Sequence, residues 1–440
     1  HALGDEVKDI KGAGGALLVS DGVTGTVDIK NSTFEKNDST VTGGAILQMD
    51  GSTATINIDG STFAQNQTGA EGGAVVSDAT LVVKNSTFTG NKTTGTLKIE
   101  DVEAGQPAYY ADNGGGAIFL YDESNTTISG STFTGNTSGT YGGAIATRIG
   151  ADSAVSSLTL SNSVFESNHA GANGGAVYNT VKTTIGNGMS FTDNNAHNGG
   201  AIWNDRDAIL SFVNTEQIKF EKNIAGNAGG AIYSAGVIDK ISNVLFKENE
   251  GYLAGAINNS NLIGENQGGY IGEISNSQFI GNKGGTSMGG AIRNQGRIAK
   301  ITDVLFSGNI AGNGGALNNG TWGSLVDSVT NVDFIGNVAT GGVGQGGAIV
   351  NAGKIALIDG SDFSDNRADV KGGAIANVAP STTDETKIAT ITLKDTNFTG
   401  NIAGEMGGAI YNHKRGEIVL NGENTFSGNM AGDVANDIHN

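Results

Sequence analysis

Two short motifs alternate along this chain from one end to the other, and they constrain its fold more than any other feature. The first is Gly-Gly-Ala followed by an aliphatic residue, called the tetrad below, and one copy has Ala in place of the first Gly. The fourteen tetrads begin at Gly14, Gly43, Gly72, Gly115, Gly142, Gly174, Gly199, Gly229, Ala254, Gly289, Gly314, Gly346, Gly372 and Gly407. The second motif, Phe-x-x-Asn, also occurs fourteen times, at Phe34, Phe63, Phe88, Phe133, Phe165, Phe191, Phe220, Phe246, Phe279, Phe306, Phe334, Phe363, Phe398 and Phe426. Self-similarity at a period of about 30 residues indicates a solenoid, a propeller or another array.

The content of one repeat selects among these architectures. The shortest copies, such as residues 229–253, hold three stretches rich in Ile, Val and Phe that Gly and Asn separate. No apolar spacing of three and four residues is present that would bury one face of a helix. A propeller blade needs four strands and about 40 residues, which these copies lack. The sequence therefore predicts an all-β fold, a parallel β-helix (solenoid) of about 14 coils.

Equivalent residues of successive coils should stack, because each strand of a parallel β-helix pairs with the same strand about 4.8 Å above and below it. Phe246 is then expected between Phe220 and Phe279 in a ladder of rings inside the coil, and Ile232 in a second, aliphatic ladder. Burial of each such side chain contributes roughly 1.5 to 3 kcal/mol. The residue after the tetrad varies freely, as expected of a site that faces outward.

The Asn that closes each Phe-x-x-Asn motif is expected at a turn, with its amide bonded to the next Asn of the stack. Its backbone is expected to adopt the left-handed conformation that Asn tolerates, and Gly should do the same at the next corner. These predicted ladder residues include Asn37, Asn66, Asn223, Asn249 and Asn309.

The repeats leave short segments at both ends of the chain. We expect residues 1–13 to form an N-terminal cap, residues 14–429 to form one continuous β-helix, and residues 430–440 to form a degenerate last coil or a C-terminal cap, since solenoids need capped ends. The largest interruption of the repeat is an insertion at residues 92–114.

Composition excludes several classes of protein and site. A formal net charge of −19 disfavours nucleic acid and anionic membrane surfaces as partners. The chain has no Cys, so disulfides and thiolate metal sites are excluded, and its five His do not pair at ligand spacing. No stretch approaches 18 apolar residues, so we expect no membrane insertion of this segment. We expect no cofactor and no metal.

The dense alternation of GGA(I/L/V) and FxxN over residues 14–429 resembles the repeats of the chlamydial polymorphic outer membrane proteins and related bacterial autotransporter passenger domains. The resemblance implies a right-handed parallel β-helix that is exported to the bacterial cell surface, where such proteins act in adhesion and virulence. It also implies anchoring by a C-terminal β-barrel outside this sequence, or release from the cell. The absence of Cys departs from the chlamydial members.

Three functions follow from different classes. The first is a surface or secreted adhesin whose partner is a host or neighbouring cell-surface protein or glycan. The second is a structural protein that self-assembles end to end into extracellular filaments, because open strand edges pair readily, and such association would make it a homo-oligomer. The third is a β-helical polysaccharide lyase or hydrolase, whose best candidate residues are Asp205, Arg206 and Asp207 or His413, Lys414, Arg415 and Glu417. Both groups are interpreted as solvated turns, so we expect no enzyme activity.

The insertion at residues 92–114 is the predicted binding segment of the adhesin. Specificity is expected where the repeat is broken, because loops on a rigid scaffold commonly carry binding residues. Adjacent tyrosines give contact area at a small entropic cost, and nearby acidic residues favour a basic or hydroxyl-rich partner. The predicted contact residues are Glu100, Asp101, Glu103, Tyr109, Tyr110 and Asp112.

Overall fold

A computed structural model of the chain describes residues 14–94, 114–148, 156–260, 269–286, 288–320, 323–341, 343–379 and 386–440. All the regular elements of these residues are β-strands, so none of them forms a helix of the length and apolarity that a membrane crossing takes. Backbone contacts divide the chain into two compact units, residues 1–209 (unit 1) and residues 210–440 (unit 2). Each unit is a parallel β-solenoid, so the predicted fold class is confirmed. Its right-handedness stays a prediction, and the cap expected at residues 1–13 lies outside the described residues.

One coil of unit 2 shows how a repeat folds. Its four strands are Ile232–Ser234, Val237–Ser242, Val244–Lys247 and Glu250–Gly251. Each strand pairs in parallel with the equivalent strand of the next coil. Four parallel sheets result, and we name them in chain order the tetrad sheet, the long sheet, the Phe sheet and the short sheet.

The strands of unit 1 form four sheets of the same kinds. Its tetrad sheet contains Leu17–Val19, Ile46–Gln48, Val75–Ser77, Ile118–Leu120, Ile145–Thr147, Val177–Asn179 and Ile202–Asn204. Its long sheet contains Thr26–Lys30, Thr55–Asp59, Leu81–Lys84, Asn125–Ser129, Ser157–Ser161 and Lys182–Ile185. Its Phe sheet contains Thr33–Glu35, Thr62–Ala64, Thr87–Thr89, Thr132–Thr134, Val164–Glu166 and Ser190–Thr192. Its short sheet contains Asp38–Ser39, Gln67–Thr68, Lys92–Thr93, Thr137–Ser138, His169–Ala170 and Asn195–Asn198.

Unit 2 has four sheets of the same kinds, and the long-sheet strand Ile209–Phe212 includes residues on both sides of the division. Its tetrad sheet contains Ile232–Ser234, Ile257–Asn259, Ile292–Asn294, Leu317–Asn319, Ile349–Asn351, Ile375–Asn377, Ile410–Asn412 and Ile438–His439. Its long sheet contains Val237–Ser242, Tyr270–Ser275, Arg297–Thr302, Leu325–Thr330, Lys354–Asp359, Ala389–Lys394 and Gly416–Asn421. Its Phe sheet contains Ile218–Glu221, Val244–Lys247, Gln278–Ile280, Leu305–Ser307, Asp333–Ile335, Asp362–Ser364, Asn397–Thr399 and Thr425–Ser427. Its short sheet contains Ile224–Ala228, Glu250–Gly251, Lys283–Gly284, Ile310–Ala311, Val338–Ala339, Arg367–Ala368, Ile402–Ala403, Met430–Ala431 and Val434–Ala435.

Each position of the tetrad has its own physical requirement. Gly229 has a φ of 70°, in the left-handed region that favours glycine. Gly230 lies so close to the carbonyl oxygen of Gly255 in the next coil that a Cβ would overlap with it. Ala231 and Ile232 are fully buried. The tetrad is therefore a corner, a close approach of two coils and the start of an inward-facing strand.

The Phe residues stack as rings inside each unit. In unit 2 Phe246 and Phe279 have ring centroids 4.7 Å apart and planes 8° apart, and in unit 1 Phe63 and Phe88 have the corresponding values of 4.7 Å and 2°. The ladder residues from Phe63 to Phe398 are at most 1% exposed. One ring per coil therefore fills the interior at the spacing of the strands.

The Asn residues form a second buried ladder beside the rings. The backbone N–H and the side-chain amide of Asn249 both donate to Oδ1 of Asn282, at 3.1 and 3.0 Å, and the same amide donates to the carbonyl of Phe220 at 2.9 Å. Asn223 donates to Asn249 in the same way. The predicted stacking of amides is thus present. Each Asn bonds with both its backbone and its side chain, which explains why no other residue type replaces it.

The prediction that the ladder Asn adopts the left-handed conformation is wrong. The positive φ falls on the residue before it, such as Glu248 with a φ of 54° or Gly281 with a φ of 61°. The reason is that the Asn amide must point into the coil to reach its partners, so the preceding residue makes the turn. A sequence signal exists, since Gly stands at this preceding position at Gly90, Gly135, Gly281, Gly308, Gly336, Gly400 and Gly428.

One boundary differs in detail from that predicted from the sequence. Lys92–Thr93 is a strand of the short sheet, paired with Gln67–Thr68, so the regular coil continues to Thr94 rather than ending at residue 91. In the last segment Met430–Ala431 pairs antiparallel with Val434–Ala435. Ile438–His439 then pairs with the preceding strand of the tetrad sheet.

Candidate binding cleft

The outer face of the tetrad sheet in unit 1 carries a column of apolar side chains. Successive side chains of a strand point to opposite faces, so the residue after the inward aliphatic faces out. The residues that align in register in this outer column are Leu18, Leu47, Val76, Phe119, Ala146, Tyr178 and Trp203. Those from Leu47 to Ala146 are at most 6% exposed, because neighbouring side chains such as Met49 and Tyr121 pack on them.

A cleft opens in this column at Ala146. Ala146 lies in register between Phe119 and Tyr178, and the Tyr141 ring, stacked on Tyr178, takes part of the space that the methyl group of Ala146 leaves. The cavity has a volume of about 260 Å³. We name it the Ala146 cleft, and its lining consists of Phe119, Tyr141, Ala146, Thr147, Arg148, Tyr178, Thr180, Asp205 and Asp207.

The walls of the cleft are aromatic and closely packed. The rings of Tyr141 and Tyr178 stack with centroids 4.7 Å apart and planes 30° apart, and Trp203 follows Tyr178 at 6.4 Å and 11°. At the other end a Cβ on Gly114 would lie 3.4 Å from the Phe119 ring and 3.0 Å from the Ala146 methyl group. The walls are therefore held in place by neighbours on the coil.

The polar rim comes from residues that directly follow the tetrad-sheet strands. The backbone N–H groups of Arg148 and Asp205 each donate to the preceding coil, to the carbonyl groups of Leu120 and Asn179, both at 2.9 Å. These bonds extend the ladder one residue beyond the strand. The rim side chains therefore project from regular backbone.

The two carboxylates of the rim sit on one turn. The N–H of Ala208 donates to the carbonyl of Asp205 at 3.1 Å and closes the turn. The Asp205 carboxylate accepts hydrogen bonds from the Arg206 N–H at 2.9 Å and from the Tyr178 hydroxyl at 3.4 Å. Asp207 is exposed. The turn thus fixes Asp205 against the aromatic wall and leaves Asp207 open to solvent and to a ligand.

A buried carboxylate lies behind the rim. Glu71 is fully buried, the Tyr121 hydroxyl donates to its Oε2, and Nη1 of Arg148 lies 3.9 Å from its Oε1. Buried charges are normally paired in this way. Because Glu71 offsets the charge of Arg148, the two aspartates leave the cleft with a net negative charge.

One of the two threonines of the rim, Thr147, occupies a position that asparagines hold elsewhere. Oγ1 of Thr147 and of Thr180 are 3.1 Å apart, and the Thr180 N–H donates to Oγ1 of Thr147 at 2.8 Å. The equivalents of Thr147 in unit 2 are Ser234 and then a run of Asn residues, whose amides bond from coil to coil. This second Asn ladder runs through Asn259, Asn294, Asn319, Asn351, Asn377 and Asn412, with N···O distances of 2.7 to 2.9 Å.

The second Asn ladder was not predicted from the sequence. Its signal is an Asn two residues after the tetrad, as in GGAIRN and GGALNN. In unit 1 it has one step, from Asn179 to Asn204 at 2.8 Å. The preceding coils have Gln48, Ser77, Leu120 and Thr147 at this position. The Ala146 cleft therefore lies where the ladder begins.

The candidate residues named from the sequence fall in three places. Asp205 and Asp207 join the cleft, while Arg206 between them is exposed. In unit 2 the second group forms a basic turn in which burial, and then neighbouring cations, hold the pKa of His413 below its usual value; these cations are Arg415, Lys414 and Lys371. The predicted contact residues Glu100, Asp101, Glu103, Tyr109, Tyr110 and Asp112 lie outside the described residues.

No group of three or more His, Asp or Glu side chains that could hold a metal ion occurs within the ranges that the structure describes. Within the same ranges neither group named from the sequence brings such ligands together. The functional candidates of unit 1 are therefore aromatic, hydroxyl and charged side chains of the cleft itself.

Comparison with known proteins gives one family. The model of the Chlamydia polymorphic membrane protein repeat matches residues 130–148, 162–180, 217–235, 360–378 and 395–413. Each match runs from a Phe-x-x-Asn motif through the following tetrad. The first two contain the cleft residues from Tyr141 to Arg148 and from Tyr178 to Thr180. No curated protein matches the chain.

Two solved structures align with the chain at low identity and low TM-score. One is a crystal structure of a mutant of the periplasmic alginate epimerase AlgG, with 10% identity, 88% of this chain and 77% of that chain covered, and a TM-score of 0.28. The other is a PL6 alginate lyase in complex with a trisaccharide, with 11% identity, 96% and 86% of the two chains covered, and a TM-score of 0.28.

Proposed function

Because five segments of this chain match the Chlamydia polymorphic membrane protein repeat, we propose that it is an adhesin that attaches bacteria to host or neighbouring cells. The repeats and the parallel β-helix fit an autotransporter-like passenger at the outer membrane or cell surface. The observation that supports attachment is the Ala146 cleft. A concave site with aromatic walls and a few convergent polar groups is the usual form of a binding site.

The last residue of the insertion predicted to bind contacts residues of the cleft. Gly114, the last residue of that insertion, forms a parallel bridge with Tyr141 and lies against Phe119. The side chains of Tyr141 and Phe119 line the cleft. We therefore propose that partner contact occurs on the side of unit 1 that carries the cleft, and that the insertion takes part in it.

Replacing residues 95–113 by a short Gly-Ser turn tests this function. Attachment of protein-coated beads to cells should fall, while the β-sheet circular dichroism and the melting temperature should stay nearly unchanged. The matched control replaces residues 261–268 of unit 2 in the same way, and we expect normal attachment. Normal attachment of the first variant would remove the insertion from the site, and its unfolding would give the insertion a structural role.

A polysaccharide-cleaving enzyme is the second candidate, and the observation that favours it is the presence of Asp205 and Asp207 in one cleft. We propose binding without cleavage. A general acid among two carboxylates needs an apolar, desolvated setting, whereas Asp207 is exposed and Asp205 accepts two hydrogen bonds. We expect no turnover of polygalacturonate, with or without added metal ions. Saturable turnover that is lost in Asp205→Ala would establish the enzyme instead.

A further inference from the structure

We propose that Arg293, on the outer face of the tetrad sheet of unit 2, binds the carboxylate group of a ligand through one edge of its guanidinium. The site goes beyond the proposed attachment function, and it belongs to unit 2, whereas the Ala146 cleft belongs to unit 1. Four observations lead to it: the fixed position of Arg293, the guanidinium edge that has no partner, an arginine of the same coil whose edge is occupied, and the net charge of the chain.

The position of Arg293 is fixed by regular sheet pairing. Arg293 follows Ile292, the fully buried aliphatic residue of its tetrad, so its side chain points to the outer face. It lies in register between Asn258 and Asn318 of the neighbouring coils. Nη1 of Arg293 donates to Oδ1 of Asn258 at 3.2 Å, and Asn258 is 1% exposed. A buried amide therefore holds the guanidinium on one side.

The opposite edge of the guanidinium has no partner. Nε of Arg293 is buried and has no hydrogen-bond acceptor within the described part of the chain. In the planar guanidinium the Nε–H and one N–H of Nη2 point along the same edge, whereas Nη1 lies on the side of Cδ. The bond to Asn258 uses Nη1 and so leaves this edge unused. The Arg293 side chain is partly exposed, and a ligand would approach the edge from that side.

Arg297 of the same coil shows how the equivalent edge is used when a carboxylate is present. Its Nε and Nη2 both donate to Oδ2 of Asp327, at 2.9 and 2.5 Å. These hydrogen bonds and the charge of Asp327 raise the pKa of Arg297. Burial lowers the pKa of Arg293, and Tyr233 opposes this shift, but no carboxylate of the described residues does. A bound carboxylate would give Arg293 the partner that Arg297 already has.

A partly buried guanidinium without a counter-ion is unfavourable, because a charge that leaves water needs a partner. Nδ2 of Asn258 also has no acceptor within the residues that the structure describes. The chain has 44 Asp and Glu against 25 Lys and Arg, yet none of the described carboxylates pairs with Arg293. A carboxylate ligand would therefore offset a desolvation that the fold leaves uncompensated.

The chemistry of the edge favours a carboxylate over other anions. The two oxygens of a carboxylate match two parallel N–H groups, and such bidentate pairs are among the strong hydrogen bonds. A chloride ion has no second acceptor atom. A sulfate or phosphate would bring two negative charges to one cation on a chain with a formal net charge of −19, which opposes binding. The expected ligand group is therefore a singly charged carboxylate.

Titration of the ¹⁵N-labelled 440-residue chain with acetate, observed by NMR, tests the inference. Acetate replaces chloride at constant ionic strength, so that the screening of charges stays the same. The six arginines of the chain give six Nε–H signals, and Arg293→Lys identifies the signal of Arg293 by its loss. We expect this signal to shift saturably with acetate and the signal of Arg297 to stay in place. No shift at Arg293, or an equal shift at Arg297, would overturn the inference.

Thermal unfolding of matched variants gives a second measurement. At an acetate concentration about ten times the Kd, binding should raise the melting temperature by about 1 to 2 °C relative to chloride. Arg293→Lys keeps the charge but loses the paired N–H groups, so this rise should disappear. Arg297→Lys is the control, because Asp327 already occupies that edge, and the rise should persist. An acetate effect that persists in Arg293→Lys would contradict the site.

Two further ligands identify what carries the carboxylate. Methyl glucuronide presents it on a sugar, and N-acetylaspartic acid α-amide presents it on an amino acid. The ligand that shifts the Arg293 signal with the lower Kd names the source, and a shift with acetate alone assigns the site to small free acids. Sulfate at the same ionic strength should shift the signal less, and a stronger effect of sulfate would overturn the choice of a carboxylate.

Discussion

Units 1 and 2 build the same coil but differ on the outer face of the tetrad sheet. In unit 1 the outer column is apolar and aromatic and includes the Ala146 cleft. In unit 2 the equivalent column is mostly polar as far as Asn318 and consists of Tyr233, Asn258, Arg293, Asn318, Val350, Ala376 and Tyr411. Unit 2 also has the long second Asn ladder, which unit 1 has for one step. The interior requirements are therefore the same everywhere, whereas the outer face is free to differ and to carry binding.

The polar column of unit 2 is not a solvated surface. Asn258 and Asn318 are 1% and 2% exposed, and Nη1 of Arg293 donates to Oδ1 of Asn258 at 3.2 Å. Burial lowers the pKa of the Arg293 guanidinium, although Tyr233 acts in the opposite direction. Nδ2 of Asn258 and Oδ1 of Asn318 have no hydrogen-bond partner within the described part of the chain. Unit 2 therefore carries a desolvation cost on this face that the apolar column of unit 1 avoids.

The largest expected effect tests whether the two interiors are equivalent. Phe165→Ala in unit 1 and Phe246→Ala in unit 2 should each lower the free energy of unfolding by about 3 to 5 kcal/mol, because each opens a cavity in a fully buried ladder. Tyr233→Ala, on the outer column, should cost less than either. Chemical denaturation followed by circular dichroism measures all three. Equal shifts for Phe246→Ala and Tyr233→Ala would contradict the inward and outward assignment.

The second Asn ladder gives the next largest difference between the units. Asn351→Ala removes bonds to Asn319 and Asn377, both at 2.8 Å, and leaves buried amide groups without partners. It should cost about 2 to 3 kcal/mol, since each buried unsatisfied group costs about 1 to 3 kcal/mol. Ser77→Ala at the equivalent position of unit 1 breaks a bond of 2.7 Å to Gln48 and should cost about 1 kcal/mol. Similar losses of stability in the two variants would show that a residue of the second Asn ladder contributes no more than a single hydrogen bond.

The pH dependence of stability should be larger in unit 1. Burial, with the charges of Asp50, Asp122 and Glu123 nearby, raises the pKa of Asp78 to about 7 from 3.8. The folded chain therefore binds the carboxyl proton of Asp78 more tightly than the unfolded chain does. This proton binding stabilises the folded chain fully below about pH 4, and the stabilisation is lost as the pH rises through about 7. Allowing for partial exposure, the loss is about 1 to 2 kcal/mol.

Melting curves between pH 4 and pH 8 measure this loss, and Asp78→Asn should flatten them. The counterpart in unit 2 is Asp333, whose pKa is raised by burial and by Asp362. Because Asp333 is more solvated, Asp333→Asn should change the curves less. A pH profile that is unchanged in Asp78→Asn would show that Asp78 is ionised in the folded chain across this range.

The smallest effect concerns the polar column itself. Arg293→Leu places in unit 2 the residue that unit 1 has at Leu47, and it removes a partly buried charge held by one hydrogen bond. Replacing buried charges by apolar groups is often neutral or stabilising, so the melting temperature should stay the same or rise by about 1 to 2 °C. A clear fall would mean that the bond to Asn258 outweighs the desolvation of the guanidinium.

Sequence reasoning predicted the interior of this molecule well because each interior requirement recurs in every coil. Stacked rings at Phe246 and stacked amides at Asn249 follow from motifs that repeat fourteen times. The turn at Glu248 was misplaced by one residue, since the motif does not show which of its residues makes the bend. The second Asn ladder was visible in the sequence and was missed.

The Ala146 cleft could not be predicted, because it depends on which residues of different coils meet. Ala146 lies 27 residues after Phe119 and 32 before Tyr178, and the insertions between them change the count from coil to coil. Glu71 and Asp205 come from still more distant coils. A gap among side chains in a column leaves no motif in any one repeat.

The Asn ladder of the Phe-x-x-Asn motifs also keeps successive coils in register when the coils differ in length. The N–H of Asn66 reaches Oδ1 of Asn91 over 25 residues, and that of Asn91 reaches Asn136 over 45 residues, yet both distances are 3.0 Å. The two coils thus differ by 20 residues with no change in their register. Each coil is aligned anew by its own Asn, so a length change in one loop is not passed on to the next. A foreign peptide inserted between Thr94 and Gly114 would therefore be displayed without a change in the ladder beneath it, which makes this chain a scaffold for presenting sequences of arbitrary length.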